Sequence, residues 1–327
     1  MASTASSPAE RRASLLEEFA RVAVELPAFS PGHCPGDARH YLRFYSLDMS
    51  SDFPAVRHGL GTVSSGEHRL AVHCWEYPGA SATLLLVHGY FDHVGLFDHL
   101  VRYGLERGLN VVAFDLPGHG LSSGPQAEIQ DFAEYRQAII DVLASVSFLP
   151  GERRVIAQST GGAAVMDYLL AGLSPPLDRV VLLAPLVRPA QWGRIVFTHR
   201  LLHRFVEQVP RTFADSSQDP DFLLFVREDP LQSPVIPVCW VTALRRWIPE
   251  LLRRDPDGRP LLVVQGDDDG TVDWRYNLRQ IRRLFPAMEL HMLPGGRHHL
   301  ANEREDLRLD YFGAMDGFFS GEPTRGS

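Results

Sequence analysis

The sequence predicts a mostly parallel, doubly wound α/β sheet of about eight strands with an inserted helical cap. Three observations predict it. Short apolar runs recur along the chain, helical patterns separate most of them, and one interval is far longer than a crossover between neighbouring strands needs.

Residues 1 to about 10 are rich in Ser, Ala and Pro and are expected to be loose. From Arg11 to Leu26 the apolar residues Leu15, Phe19, Val22 and Leu26 fall at helical spacing. "LGTVSSGEHRLAVHCWEYPG" alternates on either side of Ser65-Gly66 and predicts an antiparallel hairpin. The runs "ATLLLVHG", "LNVVAFDLPG", "RRVIAQS", "DRVVLLAP", "PLLVVQG" and "MELHMLPG" then have the continuous apolar character of strands buried on both faces. Helices are predicted between them over Leu96–Arg107, Ile129–Leu143, Gly162–Leu173 and Trp274–Leu284. A last helix carries Leu307, Tyr311, Ala314 and Phe318 on one side.

The stretch between "LLAP" and "PLLVV" is not low-complexity, for it holds Trp192, Phe197, Phe205, Phe222, Phe225, Trp240 and Trp247. Ile195, Leu202, Val206 and Val209 form an amphipathic stripe within it. The chain therefore divides into an N-terminal extension with a helix and a partly loose start (1–60), a core (61–186 and 260–320), a helical cap (187–259) and a loose tail (321–327). No internal repeat is visible.

A net charge of −8 argues against a nucleic-acid binder. Cys34, Cys74 and Cys239 have no metal-ligand spacing and read as a reduced set. The N-terminus lacks the apolar core of a signal peptide, and no run approaches the length of a membrane span. The expectation is a soluble cytoplasmic protein.

"AQSTG" lies where a strand turns at once into a helix, the setting of a nucleophile elbow. Ala157, Gly161 and Gly162 are small enough for the sharp turn around Ser159. The helix starting beyond the serine aims free N–H groups, Thr160 first, at the place where an oxyanion would form. The loop after "LLLVHG" offers a second N–H, most simply that of Tyr90. A serine hydroxyl needs a base, and the base an orienting carboxylate. "GDDDGTVDW" offers Asp267, Asp268, Asp269 and Asp273, and "GGRHHL" offers His298 and His299.

His88, Gly89, Asp92 and His93, with Gly118, His119, Gly120 and Ser122, make the chain resemble the α/β-hydrolase superfamily. The likeness is to the branch of monoacylglycerol lipases and lysophospholipases, also described as the serine aminopeptidase S33 type. It covers roughly residues 60 to 320. The Gly-x-x-Asp and Gly-x-x-His patterns of that branch imply Asp269 and His298 as partners of Ser159. The resemblance also implies an acyl-enzyme mechanism on a lipid-like ester, a lysophospholipid or monoacylglycerol, with no cofactor and no metal. Acyl transfer or aminopeptidase activity with the same three residues is the alternative, and a non-catalytic binding protein on this scaffold a third.

Candidate substrate contacts are His88, Gly89, Phe91, Gln158, Arg188 and Trp192. Between Val187 and Phe205 the cap has Arg188, Arg194, Arg200, Arg204, His199 and His203 and no acid. This is either a solvated face or a surface for a phosphate headgroup or an anionic membrane, which would make the cap a transient membrane contact. "HRLLH" (199–203) lacks the glutamate of a zinc-protease helix. Oligomeric state is not readable from the sequence.

Overall fold

Alternate residues of each central strand point to opposite faces of one sheet, and each face is buried by its own set of helices. The computed structural model describes residues 7–321; the outer parts of the segments expected to be loose lie outside the described residues. Helix α1 (Pro8–Glu25) starts three residues earlier than its apolar spacing indicates, because Ser7 and Glu10 form a reciprocal capping box ahead of it. A 3-10 turn (Gly36–Ala38) and α2 (Arg39–Phe44) follow.

The strands are β1 (Arg57–Ser65), β2 (His68–Glu76), β3 (Ala82–Val87), β4 (Asn110–Phe114), β5 (Glu152–Gln158) and β6 (Arg179–Leu183). Between them run α3 (Asp98–Glu106), α4 (Ala133–Ser145) and α5 (Thr160–Leu170). The insertion folds as α6 (Trp192–Leu202), α7 (Pro220–Glu228) and α8 (Val238–Leu251), with β7 (Gln208–Pro210) and β8 (Val235–Pro237) pairing as a small antiparallel ribbon. The chain ends in β9 (Leu261–Gly266), α9 (Trp274–Leu284), β10 (Met288–Leu293) and α10 (Glu305–Ser320).

Eight strands form the sheet in the order β1-β2-β4-β3-β5-β6-β9-β10; β1, β2 and β4 pair antiparallel and the remainder parallel. Leu85, Val87, Val112, Phe114, Val155, Ala157, Leu182 and Val263 face a core shared with α4, α5, α8 and α9. Their neighbours Leu84, Leu86, Val111, Ala113, Ile156, Val181, Leu183 and Val264 face one shared with α1, α2, α3 and α10. The strand order reverses at β3, which has β4 on one side and β5 on the other. The crevice beyond the carboxyl ends of β3 and β5 is thus the topological switch point, where this architecture places ligands.

Residues 7–56 are built into the fold. Phe19, Val22, Leu26, Tyr41, Leu42, Tyr45, Leu47 and Met49 are buried. Residues 27–33 run along β1, where Thr62 N–H donates to Pro27 O, Phe29 N–H to Thr62 O and Leu60 N–H to His33 O, so the sheet edge is covered. The apolar stripe expected in the cap is not its buried face. In α6 the buried side chain is His199, while Phe197, Leu201 and Leu202 are exposed, as is Phe205 just beyond the helix. The reason is polar: His199 bonds Thr242 Oγ1 through Nε2 and Arg245 through Nδ1, which turns that face toward α8.

Candidate active site

Ser159 stands at the junction of β5 and α5 with φ 50° and ψ −112°, a conformation that side chains other than glycine rarely adopt. Its surroundings over-determine that geometry. Ser159 N–H donates to Leu183 O on β6, and Ser159 O accepts from both Ala163 N–H and Leu186 N–H. The turn also needs glycine beside it: a Cβ on Gly161 would lie 2.4 Å from Val87 O and 2.5 Å from His88 O.

A serine at a helix start ordinarily caps the first N–H groups, but this hydroxyl makes no cap bond. It instead lies 3.0 Å from His298 Nε2. His298 Nδ1 is 2.8 Å from Asp269 Oδ2. Asp269 is in turn held by Thr271 N–H and Val272 N–H on Oδ1 and by the Gln265 side chain on Oδ2. Of the four competing aspartates, Asp267 accepts from Gly295 N–H, Asp268 pairs with Arg297, and Asp273 caps α9 and pairs with Arg188. Burial raises the Asp269 carboxyl, but the His298 charge and the hydrogen bonds outweigh it and hold it below its ordinary value. Burial likewise lowers the His298 imidazole, yet Asp269, with a contribution from Asp92, raises it above 6.5 on balance.

The loop after β3 packs directly on the nucleophile: a Cβ on Gly89 would lie 3.2 Å from Ser159 Cβ and 2.7 Å from Asp92 Oδ2. Tyr90 N–H and Thr160 N–H have no hydrogen-bond partner among the described residues. The Tyr90 ring stacks on Trp240 of α8 at 3.9 Å and its hydroxyl donates to Ala127 O, which fixes the loop.

Three expected substrate contacts have partners within the protein. His88 is buried with both ring nitrogens occupied, Nδ1 by Gly89 O and Nε2 by Leu116 N–H. Gln158 is enclosed and joins Asp92 to Ala301 N–H. Arg188 turns to Asp273 and lies over the Tyr276 ring. Gly89 stands beside the nucleophile with Phe91 two residues further on in the same loop, and Trp192 packs partly buried against the core face shared with α8. His199 and His203 stack on one another, with the His199 nitrogens already engaged.

Of the other residues around the site, Asp92, His93 and His299 fall in the local motifs, whereas Tyr45, Arg211, Asp229 and Gln232 carry no local sequence signal. His299 Nε2 pairs with Asp92 Oδ1 at 3.0 Å, while His299 N–H donates to Ser216 O of the cap. His93 Nδ1 accepts from Gly95 N–H, and its Nε2–H donates to Asp229 Oδ2 of the cap at 2.9 Å. Tyr45 O–H donates to Asp229 Oδ1 at 2.6 Å, and Arg12 donates to Asp229 O and Gln232 O. Gln232 donates to Phe91 O. Arg211 lies over the rings of Phe91 and Phe213 at 3.9 and 4.4 Å; burial lowers its guanidinium to about 10, which leaves it cationic at neutral pH. These partners are far apart in sequence, and only the fold brings them together.

The chain is similar to several known proteins. The chain is 29% identical over 273 residues to the uncharacterized protein YnbC of Escherichia coli, covering 74% of this chain and 43% of that one. It is 28% identical over 244 residues to a monoacylglycerol lipase of Mycolicibacterium smegmatis, covering 69% of this chain and 85% of that one. A soluble variant of monoglyceride lipase from Saccharomyces cerevisiae, solved with a substrate analog, superposes with a TM-score of 0.68 at 18% identity, over 80% of this chain and 95% of that one. The model of the serine aminopeptidase S33 family matches residues 78–305, and the chain belongs to that family, on an α/β-hydrolase fold.

Proposed function

We propose that this serine ester hydrolase cleaves a carboxylic ester of a lipid-like substrate, of the lysophospholipid or monoacylglycerol kind, through an acyl-enzyme on Ser159. The observation that carries the reading is the unbroken relay from Ser159 Oγ through His298 to Asp269, at 3.0 and 2.8 Å. Ser159 Oγ attacks the ester carbonyl as His298 Nε2 takes its proton. Tyr90 N–H and Thr160 N–H receive the oxyanion, and the positive end of the α5 dipole adds to them. His298 returns the proton to the departing alcohol. Water, activated by the same imidazole, then releases the acid.

The named activities of the mycobacterial and yeast relatives support the lipid-ester class. An aminopeptidase would need a free carboxylate to hold the substrate's ammonium group. Asp92 and Asp229, two carboxylates that contact the loop, are committed to His299 and His93, which favours the ester.

Surface contact with a lipid bilayer belongs to the same reading. Phe205 is 82%, Phe197 66% and Leu201 57% exposed on the cap, interspersed with Arg194, Arg200 and Arg204, whose guanidinium groups have no partner among the described residues. Among the described residues no helix is long and apolar enough to cross a membrane.

The test combines a fluorophosphonate probe with glycerol and p-nitrophenyl esters of increasing acyl length. The wild-type protein is expected to be labelled and to turn over esters. Ser159→Ala is expected to lose both, with kcat down by on the order of 10⁶ and an unchanged unfolding transition. Retained turnover in Ser159→Ala overturns the assignment of the nucleophile. Transfer to added alcohol in preference to water would reassign the reaction as acyl transfer.

A further inference from the structure

Several half-buried arginines of this fold meet a carboxylate: Arg136 meets Asp167, Arg107 meets Asp316, Arg188 meets Asp273 and Arg259 meets Asp257. Arg211 does not. Its Nη1 donates to two neutral acceptors, Gln232 Oε1 at 2.7 Å and Ser233 O at 3.3 Å, and these fix the plane of the guanidinium. Nε and Nη2 make no hydrogen bond to any described residue. Neither is among the side-chain atoms that are both fully enclosed and without a partner.

Nε–H and Nη2–H lie on the same side of a guanidinium and point in parallel, the arrangement that grips two oxygens of a carboxylate or phosphate. The location gives the unpartnered edge its meaning. Arg211 lies over Phe91, the residue after Tyr90, and the loop that begins at Gly89 touches the Ser159 side chain. Asp92 and Asp229, the acids whose charge Arg211 feels most, already pair with His299 and His93. A desolvated cation without a counterion is costly unless an anion completes it.

We propose that Arg211 is an anion receptor beside the nucleophile and that the preferred ester carries a carboxylate or phosphate oxyanion on its acyl or alcohol half. The inference rests on the reading of Ser159 as nucleophile. It assigns anion recognition to a cap residue outside the basic run 188–204, whose members are tied to Asp273 or lie on an exposed helix.

Two matched pairs of esters test it. One is a monoacylglycerol and the same acyl ester of glycerol 3-phosphate, which places phosphate on the alcohol. The other is a p-nitrophenyl ester of a monocarboxylic acid and the p-nitrophenyl monoester of the dicarboxylic acid of equal length, which places carboxylate on the acyl half. In at least one pair the anionic member is expected to have the higher kcat/KM, by about tenfold to a hundredfold and chiefly through KM. Arg211→Gln is expected to reduce the anionic-to-neutral ratio about tenfold or more. Arg211→Lys, which keeps the charge but not the paired donors, is expected to fall between.

Ratios near one in both wild-type pairs, or a ratio that survives Arg211→Gln, overturn the proposal. An equal fall for both members would mark Arg211 as a packing residue and overturn it as well. If Arg211→Gln does not fold, the wild-type ratios and Arg211→Lys still decide. Turnover of neutral esters with no anionic preference removes this inference alone, whereas no turnover and no fluorophosphonate labelling removes the proposed function with it.

Discussion

The Ser159 backbone, by turning into positive φ, directs the hydroxyl away from the helix N–H groups and toward an imidazole on another loop. The same turn leaves Thr160 N–H without a partner among the described residues. His298 works as a base only when neutral, and its net pKa lies above 6.5. The kcat/KM of the wild-type protein is therefore expected to rise with pH through a group titrating above 6.5. Removing the Asp269 charge takes away the raising influence while burial remains. Asp269→Asn is expected to move that acid limb downward and to lower kcat by about 10⁴. A pH–rate series on both proteins checks this; an acid limb unmoved by Asp269→Asn would separate Asp269 from the titrating imidazole. The small residues around the serine and the chain order serine, acid, histidine made this relay legible in the sequence. The choice between His298 and His299 is fixed physically by Asp92, which takes up the second imidazole.

Between elements, two polar rivets join the cap to the loops that carry the chemistry. One is the Asp229 carboxylate, reached by His93 of the oxyanion loop and by Tyr45 of the N-terminal region. Burial pushes that carboxyl up, but the His93 charge and the hydrogen bonds outweigh it and keep it ionised. The other rivet binds residues 216–218 to the histidine loop: His299 N–H donates to Ser216 O, Ser217 O–H to Asn302 O, and Gln218 N–H to Glu303 Oε2. Asp229→Asn leaves a buried imidazole without its charge partner and is expected to destabilise the fold by about 3 kcal/mol. It is also expected to lower kcat, because His93 and Phe91 flank the loop that presents Tyr90 N–H. Tyr45→Phe removes one hydrogen bond to the same carboxylate, and about 2 kcal/mol of stability should go with it while kcat changes less. Denaturant unfolding with kcat on the same preparations tests both. Equal kcat losses in the two variants would mean that the cluster only stabilises. None of this was legible beforehand, since Tyr45, His93 and Asp229 have no shared motif and sit on three separate segments.

Across the whole molecule, a net charge of −8 coexists with a cap helix whose exposed face is apolar and basic. Binding to vesicles of phosphatidylcholine and phosphatidylserine is expected, weakening as salt rises because surface charges are screened over about 10 Å at 0.1 M. Phe197→Ser combined with Phe205→Ser is expected to remove most of the binding in a sedimentation assay. Undiminished binding of the double variant would place the contact elsewhere. The architecture was readable because strands buried on both faces leave continuous apolar runs, and helices 274–284 and 160–170 lie close to their periodic patterns. The cap's orientation was not, because helical spacing gives a face without saying whether protein or solvent meets it; His199 decided that through Thr242 and Arg245. The two rivets have a consequence for any movement of the cap. Segments 216–218 and 229–232 are bonded to the histidine loop and to the loop after β3, so displacing either one pulls on the base or on the loop that carries Tyr90.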